Sequence, residues 1–223
     1  MTEDNYLLNQ YKIIVEFLGE ILGDNVEIVL HDLTDLEESI IAISNGHISG
    51  RKLGGPVTDL ALRMIKDVQY KNINYMTDYR SVSRNGKSFH SSTLLIRNHT
   101  RTLIGMLCFN FDFGDYYSIK KSIENILPQY LKNQEDHHME SHMISEKLND
   151  SIEHLVSHEI HEMNVYKNYE PKRLVQEEKI DIIRTLHDKG VFLIKGAVIE
   201  VASQLRISEA TVYRYLSMIK REV

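Results

Sequence analysis

The 223-residue sequence predicts an α+β body followed by an all-α C-terminal module. Three observations carry that prediction. Short β-branched runs bounded by turn residues lie in the first half without regular βαβ alternation, which favours an antiparallel sheet with helices to one side. Longer stretches with apolar residues three and four apart flank those runs, as helices require. From residue 171 onward only helical patterns remain.

The elements follow in order. "YLLNQYKIIVEFLGEILG" places Leu7, Leu8, Tyr11, Ile14, Val15, Leu18, Ile21 and Leu22 on one helical face, and Gly23 supplies the stop. "NVEIVLHDL" and "SIIAIS" read as strands. "SNGHISGRKLGGP" is a glycine-rich loop, and "VTDLALRMIKD" after it is an amphipathic helix. "SSTLLIRNHTRTLIGMLCFNFDF" holds two strand-like runs joined at "RNHTR", a hairpin pattern. From Tyr116 the pattern is helical until Pro128 breaks it.

Three zones result: 1–132 as the α+β domain, 133–170 as a helical linker, and 171–223 as the helical module. In the linker Ile144, Leu148, Ile152, Leu155, Val156 and Met163 form a narrow apolar seam. Such a seam pairs with another helix, either of this chain's own body or of a second copy, and the linker is expected to serve dimerisation. Pro171 ends the zone, because the residue before a proline is pushed out of the helical region.

Composition narrows the function. No apolar run approaches the roughly 18 residues of a membrane span, and the acidic, polar start is no secretory signal. One cysteine, Cys108, excludes an internal disulfide framework, so a cytoplasmic location is expected. The formal charge of −6 is divided unevenly. Residues 171–223 carry ten Lys/Arg against seven Asp/Glu, and the rest sixteen against twenty-five. A mildly basic tail on an acidic body permits nucleic-acid binding by the tail.

Within the tail, "VASQLRISEATVYRYL" carries two short helical patterns at a tight junction. Ala202 is small where steeply crossing helices must touch. Val201, Leu205 and Ile207 before the turn, and Val212, Tyr215 and Leu216 after it, would lock the pair. Ser208 is a good N-cap for the second helix. The remaining face holds Glu209, Thr211, Tyr213, Arg214 and Ser217, all able to meet phosphates or base edges. Lys195, Lys220 and Arg221 are candidate phosphate clamps. Arg206 occupies a turn position commonly held by glycine, where a side chain costs about 1 kcal/mol; it is either a tolerated variant or a further phosphate contact.

"GVFLIKGAVIEVASQLRISEATVYRYL" resembles the C-terminal helix-turn-helix of the YheO-like (DauR-type) bacterial transcriptional regulators. "VEIVLHDL", "SIIAISNGHISGR", "GGPVTDLAL", "SSTLLIRN" and "LIGMLCFNFD" resemble the PAS-like domain of that family, in the same order. The resemblance covers nearly the whole chain outside 133–170. It implies a cytoplasmic bacterial repressor or activator whose PAS-like domain senses a signal or mediates assembly.

A PAS-like fold holds a ligand between its curved sheet and flanking helices, so polar residues in apolar strands are the candidates. His31, Asn45, Arg51, Ser92 and Asn110 lead, with Asp32, His47, Ser91 and Thr93 beside them. Arg51 has the chemistry to clamp a carboxylate. The expected partners are double-stranded operator DNA, a second copy of the chain or a higher homo-oligomer, and a small-molecule effector.

Two other classes of function have features in the sequence to answer. His137, His138, His142, His154, His158 and His161 include pairs three and four apart, which could hold zinc or nickel in a metal-responsive regulator. "HEIHE" is not the metalloprotease pattern, no cysteine joins the cluster, and neither a metal nor a cofactor is expected. An enzyme lacks support. Cys108 sits mid-strand as a buried thiol, "GDYYS" and "SFHSS" lack a nucleophile elbow, and "GHISGRKLGG" lacks phosphate-loop spacing. A protein-interaction module without DNA binding is the remaining alternative.

Overall fold

A computed structural model describes residues 2–126, 145–148, 151–167 and 174–220. Helix α1 (Glu3–Leu22) starts where Thr2 Oγ1 accepts the Asn5 backbone N–H at 3.2 Å, and it stops at Gly23, whose φ is +81°. Strands β1 (Val26–Asp32) and β2 (Ile40–Ser44) follow, then α2 (Asp59–Lys66), capped by the Thr58 hydroxyl. Next come β3 (Tyr75–Ser83), β4 (Ser88–Arg97), β5 (Leu103–Phe111) and α3 (Gly114–Ile126). The hairpin read at "RNHTR" joins β4 to β5 as expected.

The strands form one sheet in the order β2-β1-β5-β4-β3-β6. The first five pair antiparallel. The sixth, β6 (Ser145–Leu148), lies parallel to β3, so the sheet is mixed. Helices cover both faces rather than the one side expected, and the alternation of strand side chains explains it. On one face Ile28, Leu30, Ile96 and Leu107 meet Leu8 and Val15 of α1. On the other, Val29, Leu95 and Met106 meet Leu60, Ala61 and Leu62 of α2. β1 is buried through both faces, which is why it reads as a nearly continuous apolar run.

The linker departs from the continuous helix expected over 133–170. Residues 145–148 are extended, and α4 (Ile152–Lys167) begins only after "NDS". Asn, Asp and Ser favour turns and caps over helix interiors, and Ser151 Oγ accepts the His154 N–H at 3.2 Å. The seam splits accordingly. Leu148 lies on β6 and packs with Ile48 and Phe89; Ile152, Leu155, Val156 and Met163 stay on the helix; and Ile144 lies outside the described residues. The seam's partner is this chain itself: Leu155, Val156, Ile160 and Met163 pack with Ile182, Ile183, Val201 and Val212.

Those last residues belong to α5 (Gln176–Asp188), α6 (Ala197–Leu205) and α7 (Glu209–Ile219). One apolar cluster therefore runs from the inner sheet face through α2 and α4 into α5–α7. Polar contacts reinforce the joint. Lys66 Nζ of α2 donates to the carbonyls of His187 and of Asp188, the latter at 3.0 Å, at the C-terminal end of α5. Cations there satisfy carbonyls that no helical N–H reaches. Lys189 Nζ pairs with the buried Glu159 of α4. Among the described residues no helix is long and apolar enough to cross a membrane.

Candidate DNA-reading face and sensor site

Helices α6 and α7 pack through buried Val201, Ala202 and Leu205 on one side and Val212, Tyr215 and Leu216 on the other. Arg206 between them takes φ 52° and ψ 52°, the left-handed conformation in which glycine is usual. Its N–H bonds Ser203 O at 3.1 Å, and the Ile207 N–H bonds Ala202 O at 3.0 Å, closing the end of α6. Ser208 then caps α7, its Oγ accepting the Thr211 N–H at 3.2 Å.

Burial divides α7 cleanly. Val212, Tyr215, Leu216 and Ile219 are spent on the core, while Glu209, Tyr213, Arg214, Ser217 and Lys220 are exposed and Thr211 is half-buried. Tyr213 is 57% exposed, a large apolar-edged side chain left in water. The Arg214 guanidinium lies 5.3 Å from the Tyr215 ring centroid, which steadies it beside the free face. Next to that face runs a groove of about 500 Å³ bordered by Lys66, Lys195, Tyr213, Ser217 and Lys220, so three cations lie along it. Lys195 and Arg206 are exposed, and Arg221 lies outside the described residues. Of the sequence-predicted residues, Lys195, Glu209, Tyr213, Ser217 and Lys220 border this groove.

The inner sheet face carries a second constellation. Glu27 is fully buried and pairs with Arg51, 2% exposed, at 2.5 Å. Glu27 also accepts from Asn110 Nδ2 at 2.9 Å and from the Ser49 hydroxyl. Asn110 Oδ1 accepts from Ser91 Oγ at 2.7 Å, and Ser91 meets Ser81 at 2.5 Å. Farther along, Glu146 of β6 accepts from Thr58 and Tyr79, and Tyr79 meets Thr93 at 2.8 Å. Pairing and hydrogen bonding offset the cost of burying these charges.

Burial, with the Arg51 charge adding to it, lowers the His31 pKa to about 3, so its ring is neutral and bonded to Ser39 Oγ at 2.8 Å. Burial pushes the Cys108 thiol up to about 12, consistent with an inert core sulfur.

Of the predicted sensor residues, Arg51 and Asn110 are central to this network and His31 lies beside it. Arg51 does hold a carboxylate, that of Glu27. Ser92 does not join them, because β4 alternates: Ser91 and Thr93 point inward and Ser92 outward, where its Oγ accepts the Asp78 N–H at 3.4 Å. Asn45 is a turn residue at φ 57°, its amide donating to Gly23 O at 2.9 Å and Val26 O at 2.8 Å.

Residues 1–128 match the YheO-like PAS domain model, and residues 155–217 match a helix-turn-helix domain model. The chain belongs to the YheO-like PAS domain family. YheO of Escherichia coli, an uncharacterised protein, is 32% identical over 214 residues, covering 96% of this chain and 85% of that one. An uncharacterised protein of Haemophilus influenzae is 31% identical over 220 residues, or 99% and 94% of the two chains. The transcriptional regulator DauR of Pseudomonas aeruginosa is 26% identical over 216 residues, or 96% and 94%. A PAS domain joined to a helix-turn-helix places the chain in a regulatory, DNA-binding class.

Sequence reasoning missed part of the PAS domain's buried network. Glu27 shares strand parity with Val29 and His31, so a charge on an inward position was a legible signal. Glu146 carried none, since its surroundings read as helix. Two of the linker histidines are engaged locally: His154 meets Ser151 Oγ at 2.9 Å, and His158 contacts Lys147 Nζ at 2.9 Å. Burial and the Lys147 charge lower the His158 pKa. Among the described residues no three His, Cys, Asp or Glu side chains converge on a metal site; His137, His138 and His142 lie outside them.

Proposed function

We propose that this protein is a sequence-specific transcriptional regulator that binds operator DNA as a homodimer and responds to a small molecule through its PAS domain in the bacterial cytoplasm. The observation that carries the reading is the free face of α7. A helical hairpin built only for packing has no use for Thr211, Tyr213, Arg214 and Ser217 aligned on one side, whereas a helix entering a major groove does. Arg214 would pair with guanine or hold a phosphate. Lys195, Arg206 and Lys220 would add phosphate contacts that make affinity fall with salt. Ser208 and Glu209 would sit at the helix start, where base edges are approached first.

The PAS domain and the reader share one apolar cluster, so a change on the inner sheet face can move α4 and α5 against α7. In a dimer that movement alters the spacing of two α7 helices, and only one spacing suits half-sites about one helical turn apart. Selection from a random duplex library at moderate salt tests the reading. A consensus should emerge, and Arg214→Ala should weaken binding to it by about tenfold or more while relaxing the preference at one position. Recovery of no consensus would leave the interaction-module alternative standing, and a consensus bound equally well by Arg214→Ala would take the reading away from this face of α7.

A further inference from the structure

Glu146 is out of place for an edge strand. A strand that merely extended a sheet would leave its carboxylate in water, because burying one is costly. Instead Glu146 is 3% exposed and reaches the inner face of the PAS sheet. There Thr58 Oγ1 donates to its Oε1 at 2.5 Å and Tyr79 Oη to its Oε2 at 2.9 Å. Thr58 is fixed in direction by its second duty, accepting the Ala61 N–H at 3.2 Å as the cap of α2. Tyr79 is backed by Thr93 at 2.8 Å. Arg51 acts on the same carboxyl group through space and opposes the rise that burial imposes on its pKa. Two aimed hydroxyl donors, both supplied by the PAS domain, make a carboxylate receptor.

The other buried side chain of β6 describes the rest of the site. Leu148 is 2% exposed and packs against Ile48 and Phe89. Two residues apart on one strand, the carboxylate-bearing and apolar side chains start roughly 6–7 Å from each other.

We propose that the inner face of the PAS domain is a binding site for a small organic carboxylate with an apolar body, and that β6 occupies this site as a built-in competitor through Glu146 and Leu148. This rests on the reading of the chain as a ligand-controlled regulator. An effector seated on Thr58 and Tyr79 excludes Glu146 and frees β6 from β3. Residues 149–151 alone join β6 to α4, so the displacement reaches the helix packed on the reader. It also breaks contacts made by Lys147. The Lys147 N–H donates to Asp59 at 2.8 Å, and its Nζ meets His158 at 2.9 Å and Glu162 at 3.3 Å on α4.

The test uses the full chain, with hexanoate as probe and hexanamide as its uncharged counterpart, in isothermal titration and hydrogen exchange. Glu146→Ala, which empties the receptor, should bind hexanoate at least tenfold more tightly than the native chain. It should not respond to hexanamide, and adding Tyr79→Phe should abolish the gain. In the native chain, saturating hexanoate should speed exchange of the 145–148 amides several-fold. Equal hexanoate affinity for native and Glu146→Ala proteins, or an equal response to hexanamide, overturns the proposal. Where Glu146→Ala does not fold, Leu148→Ala loosens the same competitor and should show the same gain; equal affinity there overturns it as well. DNA binding is followed in the same samples by fluorescence polarisation. A consensus duplex bound normally without any carboxylate gain removes this inference alone, whereas absence of sequence-preferred binding in the native chain removes the regulator reading.

Discussion

Arg206 is the residue at which sequence and structure meet most directly. The sequence marks it as a non-glycine in a glycine position, and the backbone there is left-handed at φ 52°. Its exposed side chain makes no demand on the core, so the strain persists without a packing reason. Arg206→Gly is expected to raise unfolding stability by about 1 kcal/mol in urea titrations. The same variant should weaken DNA binding and flatten its salt dependence, because a phosphate contact is lost. Stabilisation with unchanged DNA affinity would make Arg206 a tolerated turn variant only. His31 supports a second prediction. Its folded pKa is about 3 against an ordinary 6.5, so between those values the unfolded chain takes up a proton that the folded chain refuses. Stability must therefore fall as pH drops through that window, by up to about 1.4 kcal/mol per pH unit from this group. The raised pKa of buried Glu146 works in the opposite sense, its burial cost easing as pH falls. Denaturation midpoints measured from pH 7 to 4 should decline less steeply in His31→Asn than in the native chain, and parallel curves would remove His31 as the cause.

At the scale of elements, legibility followed the physics that sets each one. α1, α2, α6 and α7 announce themselves because each has a caught apolar face and a hydroxyl or glycine at an end: Thr2, Thr58, Gly196 and Ser208. β1, β2, β4 and β5 show as β-branched runs between turn residues. β3, "YMTDYRSVS", is harder to read. It alternates between the hydroxyl-bearing inner face and solvent, so apolarity gives no cue, and its register shifts between Met76 and Tyr79. β6 is harder still. Four residues next to a helical period carry no pattern of their own, and only pairing with β3 fixes them as a strand. The buried network followed the same rule. Arg51 and Asn110 stood out as polar residues in apolar surroundings. In the sequence Ser92 looks no different from its neighbours, because the register that turns Ser91 and Thr93 inward is a property of the sheet, not of the run. Glu146 depends on two elements 88 residues apart in the chain meeting, as its Thr58 bond shows.

For the molecule as a whole, the covered seam of α4 changes where a dimer contact must lie. Leu155, Val156, Ile160 and Met163 are already buried within one chain, so they cannot also bind a second copy. Apolar surface remains on α1. Tyr6, Ile13, Phe17 and Ile21 fall seven and four apart along the face opposite Leu8 and Val15, and Phe17 is 59% exposed. An aligned apolar stripe of this kind on an N-terminal helix is costly to leave in water, and self-pairing of two copies buries it symmetrically. The native chain is therefore expected to sediment at twice its chain mass at micromolar concentration, and Phe17→Glu at one chain mass with its thermal transition intact, since Phe17 lies outside the core. The DNA readout should move with it. Two readers joined through α1 bind two half-sites with the second event made effectively intramolecular, so separating them should weaken binding to a two-fold site by on the order of 100-fold. Binding of either protein to a single half-site should stay equal, because α7 is untouched. A Phe17→Glu chain that still sediments as a dimer would move the assembly contact off α1, and a native chain that sediments as a monomer would remove the dimer from the reading.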